Sequence, residues 1–147
     1  MIEKILVAVD GSQHSTKAVK YAAEIASGVK PNVIVLYVMK TQNLPPELAQ
    51  YANSEHMTGG NKDILKQLSK SLVDDARNHA IESGAKGATS EIIEGPVART
   101  IVARAKHHAA DMIVIGSRGM GNIEATLRGG VSHRVELLAK CPVLTVR

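Results

Sequence analysis

Apolar positions follow two alternating rhythms along this chain. Lys4-Ile-Leu-Val-Ala-Val-Asp10 is a nearly unbroken apolar run of strand length that stops at Asp-Gly-Ser. Runs of this kind, without polar alternation, fit strands covered on both faces, as in a parallel sheet. Ser12 stands where a helix cap belongs. Ala18, Ala22, Ile25 and Val29 then recur at helical spacing, with Val19 and Ala26 beside them, and Pro31-Asn32 closes that helix. Val33 to Val38 predicts a second buried strand, β-branched and uncharged. Met39 to Asn61 has no period and carries Pro45-Pro46 and Gly59-Gly60, which predicts a long loop. Leu65, Leu68, Leu72, Ala76 and Ala80 restore the helical period over 62–83, with Gly84 at the position after the helix end.

The second half repeats the alternation. Ala88 to Glu94 predicts a short strand, and Pro96 is placed to be the first residue of a helix that buries Val97, Ile101, Val102 and Ala105. Met112 to Ile115 predicts a fourth strand, Val131 to Ala139 a last helix, and Cys141-Pro-Val-Leu-Thr-Val146 a fifth strand. Strands alternating with helices, with no repeat and no dividing linker, predict one α/β domain over 1–147, a parallel sheet with helices on both faces.

Ligands of such sheets bind beyond the carboxyl ends of the strands, where the strand order reverses. The candidate chemistry sits at two strand ends. The first strand stops at Asp10, and the fourth runs into Gly116-Ser-Arg-Gly119, followed by Gly129-Gly130-Val-Ser132 at the start of a helix. Glycines between a strand end and a helix start let backbone N–H groups approach an anion. A helix N-terminus carries roughly half a positive charge, so a phosphate fits there without a lysine. If the first and fourth strands are neighbours, Asp10 and the glycines share one crevice.

Composition narrows the function. With 44% hydrophobic and 22% charged residues, the 147-residue chain has the balance of an ordinary globular protein. Without a run of 18 apolar residues or a basic-then-apolar leader, neither a membrane nor a secreted location is expected, and a cytoplasmic one is. The single Cys141 excludes an internal disulfide and a Cys-based zinc cluster, and reads as a small buried hydrophobe. A formal charge of +4 raises nucleic acid as a partner. The basic residues are scattered, however, and three Tyr with no Phe or Trp leave few platforms for base stacking, worth about 1–3 kcal/mol per base. Nucleic acid is therefore not an expected partner. No G-x4-G-K-(S/T) loop, Ser/His/Asp order or carboxylate pair near the glycines supports catalysis, and His107-His108 and His133 read as surface residues.

Three blocks in order, Ile5-Leu-Val-Ala-Val-Asp10-Gly-Ser12, Gly116-x2-Gly119-x9-Gly129 and Cys141-Pro-Val-Leu-Thr-Val146, resemble the universal stress protein family over essentially the whole chain. The resemblance implies a three-layer α/β/α, Rossmann-like fold related to the adenine nucleotide alpha hydrolases, with a five-stranded parallel sheet in the order 3-2-1-4-5. It also implies ATP, or another adenine nucleotide, as ligand together with Mg²⁺ or Mn²⁺. By that resemblance the backbone of Val38 reads the base edge, and Asp10 lies near the ribose hydroxyls or the nucleotide-bound metal. Ala8 is small enough to let a base lie against the first strand, though sheet packing explains a small residue there equally well. The resemblance places Gly116, Gly119, Gly129, Gly130, Val131 and Ser132 around the phosphates, while Arg118, between two motif glycines, reads either as a phosphate contact or as a solvated loop charge. The ATP-binding branch carries G-x2-G-x9-G-(S/T), and here Gly130 stands where Ser or Thr is usual. One lost hydroxyl bond, about 0.5–1.5 kcal/mol, weakens binding by about tenfold at most. The pyrophosphatase relatives of this fold carry S-G-G-x-D-S after the first strand, which Asp10-Gly-Ser12 lacks. A homodimer through the edge strand Val143 to Val146 is implied as well. The expected function is a nucleotide-binding stress-response module with no dedicated catalysis. The alternatives are a dimeric interaction protein of the same family that binds no nucleotide, and a slow nucleotide hydrolase. The stress and the protein partner are not written in the sequence.

Overall fold

The computed structural model of the protein describes residues 1–29, 32–40, 50, 61–118 and 130–147, the side chains of 29, 61 and 62 excepted. Its strands are β1 (Lys4–Val9), β2 (Asn32–Met39), β3 (Thr89–Glu94), β4 (Met112–Gly116) and β5 (Val143–Val146). Its helices are α1 (Gln13–Val29), α2 (Asn61–Glu82), α3 (Val97–His107) and α4 (Gly130–Leu138). The strands form one sheet in the order β3-β2-β1-β4-β5, every pair parallel. Ala8 of β1 is in register with Leu36 on one side and Ile115 on the other, so β1 is the centre of the sheet. The order is the one the resemblance implies.

Period two explains why the strands read as continuous apolar runs. Ile5, Val7 and Val9 face one core, which Ala18, Val19 and Ala22 of α1 and Val73 and Ala80 of α2 complete. Leu6 and Ala8 face a second core with Ile101 and Ala105 of α3 and Val135 of α4. Ile5 to Val9 of β1 are therefore buried whichever way they point. α4 is the lightest anchored of these helices. Its buried residues are Ser132 and Val135 alone, and full burial of one valine contributes only about 1.5–3 kcal/mol.

The helix ends follow local chemistry. α2 stops at Gly84, whose φ of +114° belongs to the left-handed side. There the Ala85 N–H donates to the Ala80 carbonyl and the Gly84 N–H to the Ile81 carbonyl, a paired closure that satisfies two orphan acceptors. α3 ends in the same way around Ala109, with φ +52°. Pro96 stands one residue outside α3, not inside it as its spacing predicts. Its ψ of 121° is extended, while its carbonyl accepts the Thr100 N–H at 2.9 Å and so opens the helix. At the other end of β1, the Asp111 carboxylate accepts the backbone N–H groups of Glu3 and Lys4 at 2.8 and 2.9 Å. Those bonds hold its carboxyl below the usual carboxylate range. Among the described residues, no helix is long and apolar enough to cross a membrane.

Candidate functional site

Because β4 lies beside β1, residues about a hundred positions apart meet at the carboxyl edge of the sheet. Asp10 follows β1 directly, and its carboxylate accepts the Ser12 N–H at 2.9 Å across Gly11, which sits at φ +84°. That turn presents Ser12 as the cap of α1. Its hydroxyl accepts the Ser15 N–H at 3.2 Å and its carbonyl the Thr16 N–H at 3.0 Å. The same Ser12 hydroxyl donates to the carbonyl of Arg118 at 3.2 Å. One residue pair further along, His14 Nδ1 and Ser117 Oγ stand 2.9 Å apart. The loop leaving β4 is thus pinned to the first turn of α1 at two points.

Gly116 allows this approach. A Cβ on Gly116 would stand 2.8 Å from the carbonyl carbon and Cβ of His14 and 2.9 Å from the nitrogen of Ser15. The glycine is required by the packing of a strand end on a helix start. Its spacing alone suggests a different reason, backbone approach to an anion. Ser117 N–H then donates to the Val146 carbonyl at 2.7 Å and continues the β4–β5 ladder. Ser132, buried in the first turn of α4, places its hydroxyl 3.5 Å from the Ser117 carbonyl. Two helix N-termini, those of α1 and α4, therefore flank one loop, and both contribute positive potential there.

The residues expected from sequence divide as follows. Asp10, Gly116, Arg118 and Ser132 are brought to this edge, with Arg118 exposed and Ser132 buried. Gly130 and Val131 open α4 and are exposed, and a Cβ on Gly130 would meet nothing within 4 Å. Ala8 and Val38 are buried side chains of the core facing α3 and α4. Gly119 and Gly129, like the expected loop over 41–60 apart from Gln50, lie outside the described residues. The described residues contain no group of three or more His, Cys, Asp or Glu able to hold a metal ion alone. A cation facing Asp10 would need phosphate oxygens to complete its ligands. On the α1–α2 side of the same edge lies a cavity of about 320 Å³, walled by Val9, Gly11, Ser15, Leu72, Asp75 and His79.

Sequence reasoning did not mark Ser12, His14 and Ser117 as site residues. The available signal was their position, each within a few residues of a predicted strand end, and its meaning depends on β1 and β4 being neighbours. Two other readings change. His107 is exposed as expected, but His108 is half-buried, its Nε2 3.0 Å from Glu91 Oε1. Arg104 grips the same carboxylate with Nε at 3.0 Å and Nη2 at 2.8 Å. Partial burial pushes Glu91 up, but the bonds from Arg104 and His108 outweigh it and hold the carboxyl below its ordinary value. Cys141 is half-buried against the α3–α4 core, and burial pushes its thiol up, as for a packing residue with little thiolate.

Comparison with known proteins agrees with the architecture. The universal stress protein family model matches residues 1–147. Universal stress protein YxiE of Bacillus subtilis is 32% identical, over the full length of both chains. Universal stress protein MJ0531 of Methanocaldococcus jannaschii is 35% identical, over 100% of this chain and 83% of its own. A universal stress protein from Archaeoglobus fulgidus, solved in complex with dAMP, has the same fold, with a TM-score of 0.71, full coverage of both chains and 24% identity. With its whole length matched by that model, the chain belongs to the universal stress protein family.

Proposed function

We propose that this chain is an adenine-nucleotide-binding module of its family, taking ATP with Mg²⁺ or Mn²⁺ at the carboxyl edge of β1 and β4. The observation that carries the reading is the double pinning of the β4 loop to α1, Ser12 to Arg118 and His14 to Ser117. Ser117 and Arg118, held in advance, lose little freedom when an anion binds beside them, which is a source of affinity in a preorganised site. Phosphate oxygens would be met by N–H groups at the start of α4, around Gly130, Val131 and Ser132, and by Gly119 and Gly129 of the motif. Arg118 adds a positive charge. Asp10 would face the ribose or the phosphate-bound cation. Ala8 and Val38 bring the strand ends on which the base rests, Val38 through its backbone. The metal supplies charge neutralisation of the phosphates when bound. Calorimetry with ATP and Mg²⁺ tests the reading. Micromolar-range binding, lost in Gly129→Val with the fold kept, supports it; no heat and no thermal shift at millimolar ATP would overturn it.

The His14–Ser117 pair gives slow hydrolysis a specific residue to test, since an imidazole within 2.9 Å of a hydroxyl can accept a proton. Absence of phosphate release from the parent chain removes that second reading, and release that persists unchanged in His14→Gln removes His14 from it. In the cell the module would act as a homodimer in the cytoplasm, paired through β5. That strand lies at the sheet edge, its outer N–H and C=O groups offer a template for a second copy, and the same patch can meet itself about a two-fold axis. Light scattering at micromolar protein checks this: a dimer mass that Leu144→Pro converts to monomer is expected, and a monomer mass for the parent chain refutes it.

A further inference from the structure

The two helical layers differ in charge. α1 and α2 together carry six basic and five acidic residues, whereas α3 and α4 carry four basic and one acidic. Two carboxylates among the described residues border the α3–α4 side. Glu136 accepts the Thr145 hydroxyl, and Glu91 of the neighbouring strand is held by Arg104 and His108. From Gly95 to Ala110 there is no Asp or Glu at all. Arg99, Lys106 and Arg134 are exposed and add to one field.

The same layer exposes apolar side chains. The described residues have six large hydrophobics in solvent, and three of them are on the nine-residue α4: Leu137 at 71%, Leu138 at 48% and Val131 at 37%. Spacing organises the two features. Arg99 and Lys106 stand seven residues apart on α3, and Val131 and Leu138 seven apart on α4. Two helical turns return a side chain to the same stripe about 10.5 Å further along. The helices pack side by side and both follow strands of a parallel sheet, so their axes run the same way. A cationic stripe on α3 therefore lies next to a stripe of equal period on α4 that carries Val131 and Leu138 with Arg134 between them.

We propose that the outer surface of α3 and α4 docks an amphipathic helix of a partner protein, acidic on one side, with leucines and carboxylates each repeating at seven residues. The leucines of such a helix would cover Leu137, Leu138 and the Val131 side chain. Its carboxylates would face Arg99, Lys106 and Arg134, where charge complementarity sets orientation and excludes basic helices. A second copy of this chain fits less well, because two-fold pairing of these faces would set cations against cations.

The probe is a fluorescein-labelled synthetic helix of Leu, Glu and Ala in a heptad pattern, on the order of 20 residues long, with a Lys-for-Glu version as control. Anisotropy titration of the full chain should show binding of the Glu peptide and none of the Lys peptide. Arg99→Glu combined with Lys106→Glu should weaken it more than tenfold, and so should Leu137→Ser combined with Leu138→Ser. Circular dichroism should report an unchanged fold in both, and ATP calorimetry an unchanged nucleotide affinity. No binding of the Glu peptide, or equal binding of both peptides, overturns the proposal. It is overturned equally if the leucine variant turns a dimer into a monomer, which would make the patch a contact between copies. Stronger binding to phosphatidylglycerol vesicles than to the peptide would overturn it as well, in favour of a membrane surface.

Discussion

Ser12 and Arg118 are 106 residues apart in sequence, yet the hydroxyl of one donates to the carbonyl of the other at 3.2 Å. The same hydroxyl accepts the Ser15 N–H. One side chain therefore caps α1 and ties the loop after β4 to it.

Ser12→Ala removes both contacts. Loss of a serine cap costs about 0.5–2 kcal/mol, which in a chain of this size lowers Tm by about 2–4 °C per kcal/mol. The released loop should also bind ATP several-fold more weakly. Urea unfolding and calorimetry on the same variant check the two effects, and an unchanged affinity with reduced stability would show that the tie serves only the fold.

Gly116→Ala introduces a Cβ at 2.8 Å from His14 backbone and side chain. Neither the strand end nor the helix start can give way easily, so the expected destabilisation is about 1–3 kcal/mol, as for overpacking elsewhere. Chemical denaturation measures it. Parent-like stability would mean that α1 can shift outward at no cost.

Gly130→Ser adds a hydroxyl where the surroundings are open, since nothing lies within 4 Å of a Cβ there. One more hydrogen bond to phosphate should tighten ATP by up to about tenfold. Calorimetry decides, and a weaker dissociation constant would show that this position needs the backbone freedom of glycine.

Glu91 makes stability depend on acid. Its carboxyl is held below the ordinary value of 4.5 in the folded chain by Arg104 and His108, against the opposing effect of burial. A group with a depressed folded pKa contributes stability above its unfolded value and loses it as pH falls through the folded one. The chain should therefore weaken progressively below about pH 4.5. Glu91→Gln should be less stable than the parent at neutral pH and should show a shallower acid slope in unfolding experiments. An identical acid slope would assign the sensitivity to other carboxylates, Asp111 first, because backbone bonds depress it too.

The alternation of buried strands and one-faced helices was legible in the sequence because both cores are built from period: two along β1, where Ile5 and Leu6 point to opposite layers, and helical along α1, where Ala18 and Ala22 share one. Ser12 as a cap and Gly84 as a helix terminator were legible for the same reason, since the atoms they satisfy are local. The strand order needed more than pattern; it came from the resemblance and was then met by the structure. Only the tertiary structure decided what Gly116 is for, because the atoms that exclude its side chain belong to His14 and Ser15, a hundred residues away. The pairing of His14 with Ser117, and of His108 with Glu91, likewise depends on which strands are neighbours and how the helices lie across them. A polar side chain announces that it needs a partner, but its sequence neighbourhood names one only when the partner is within a turn or two of chain.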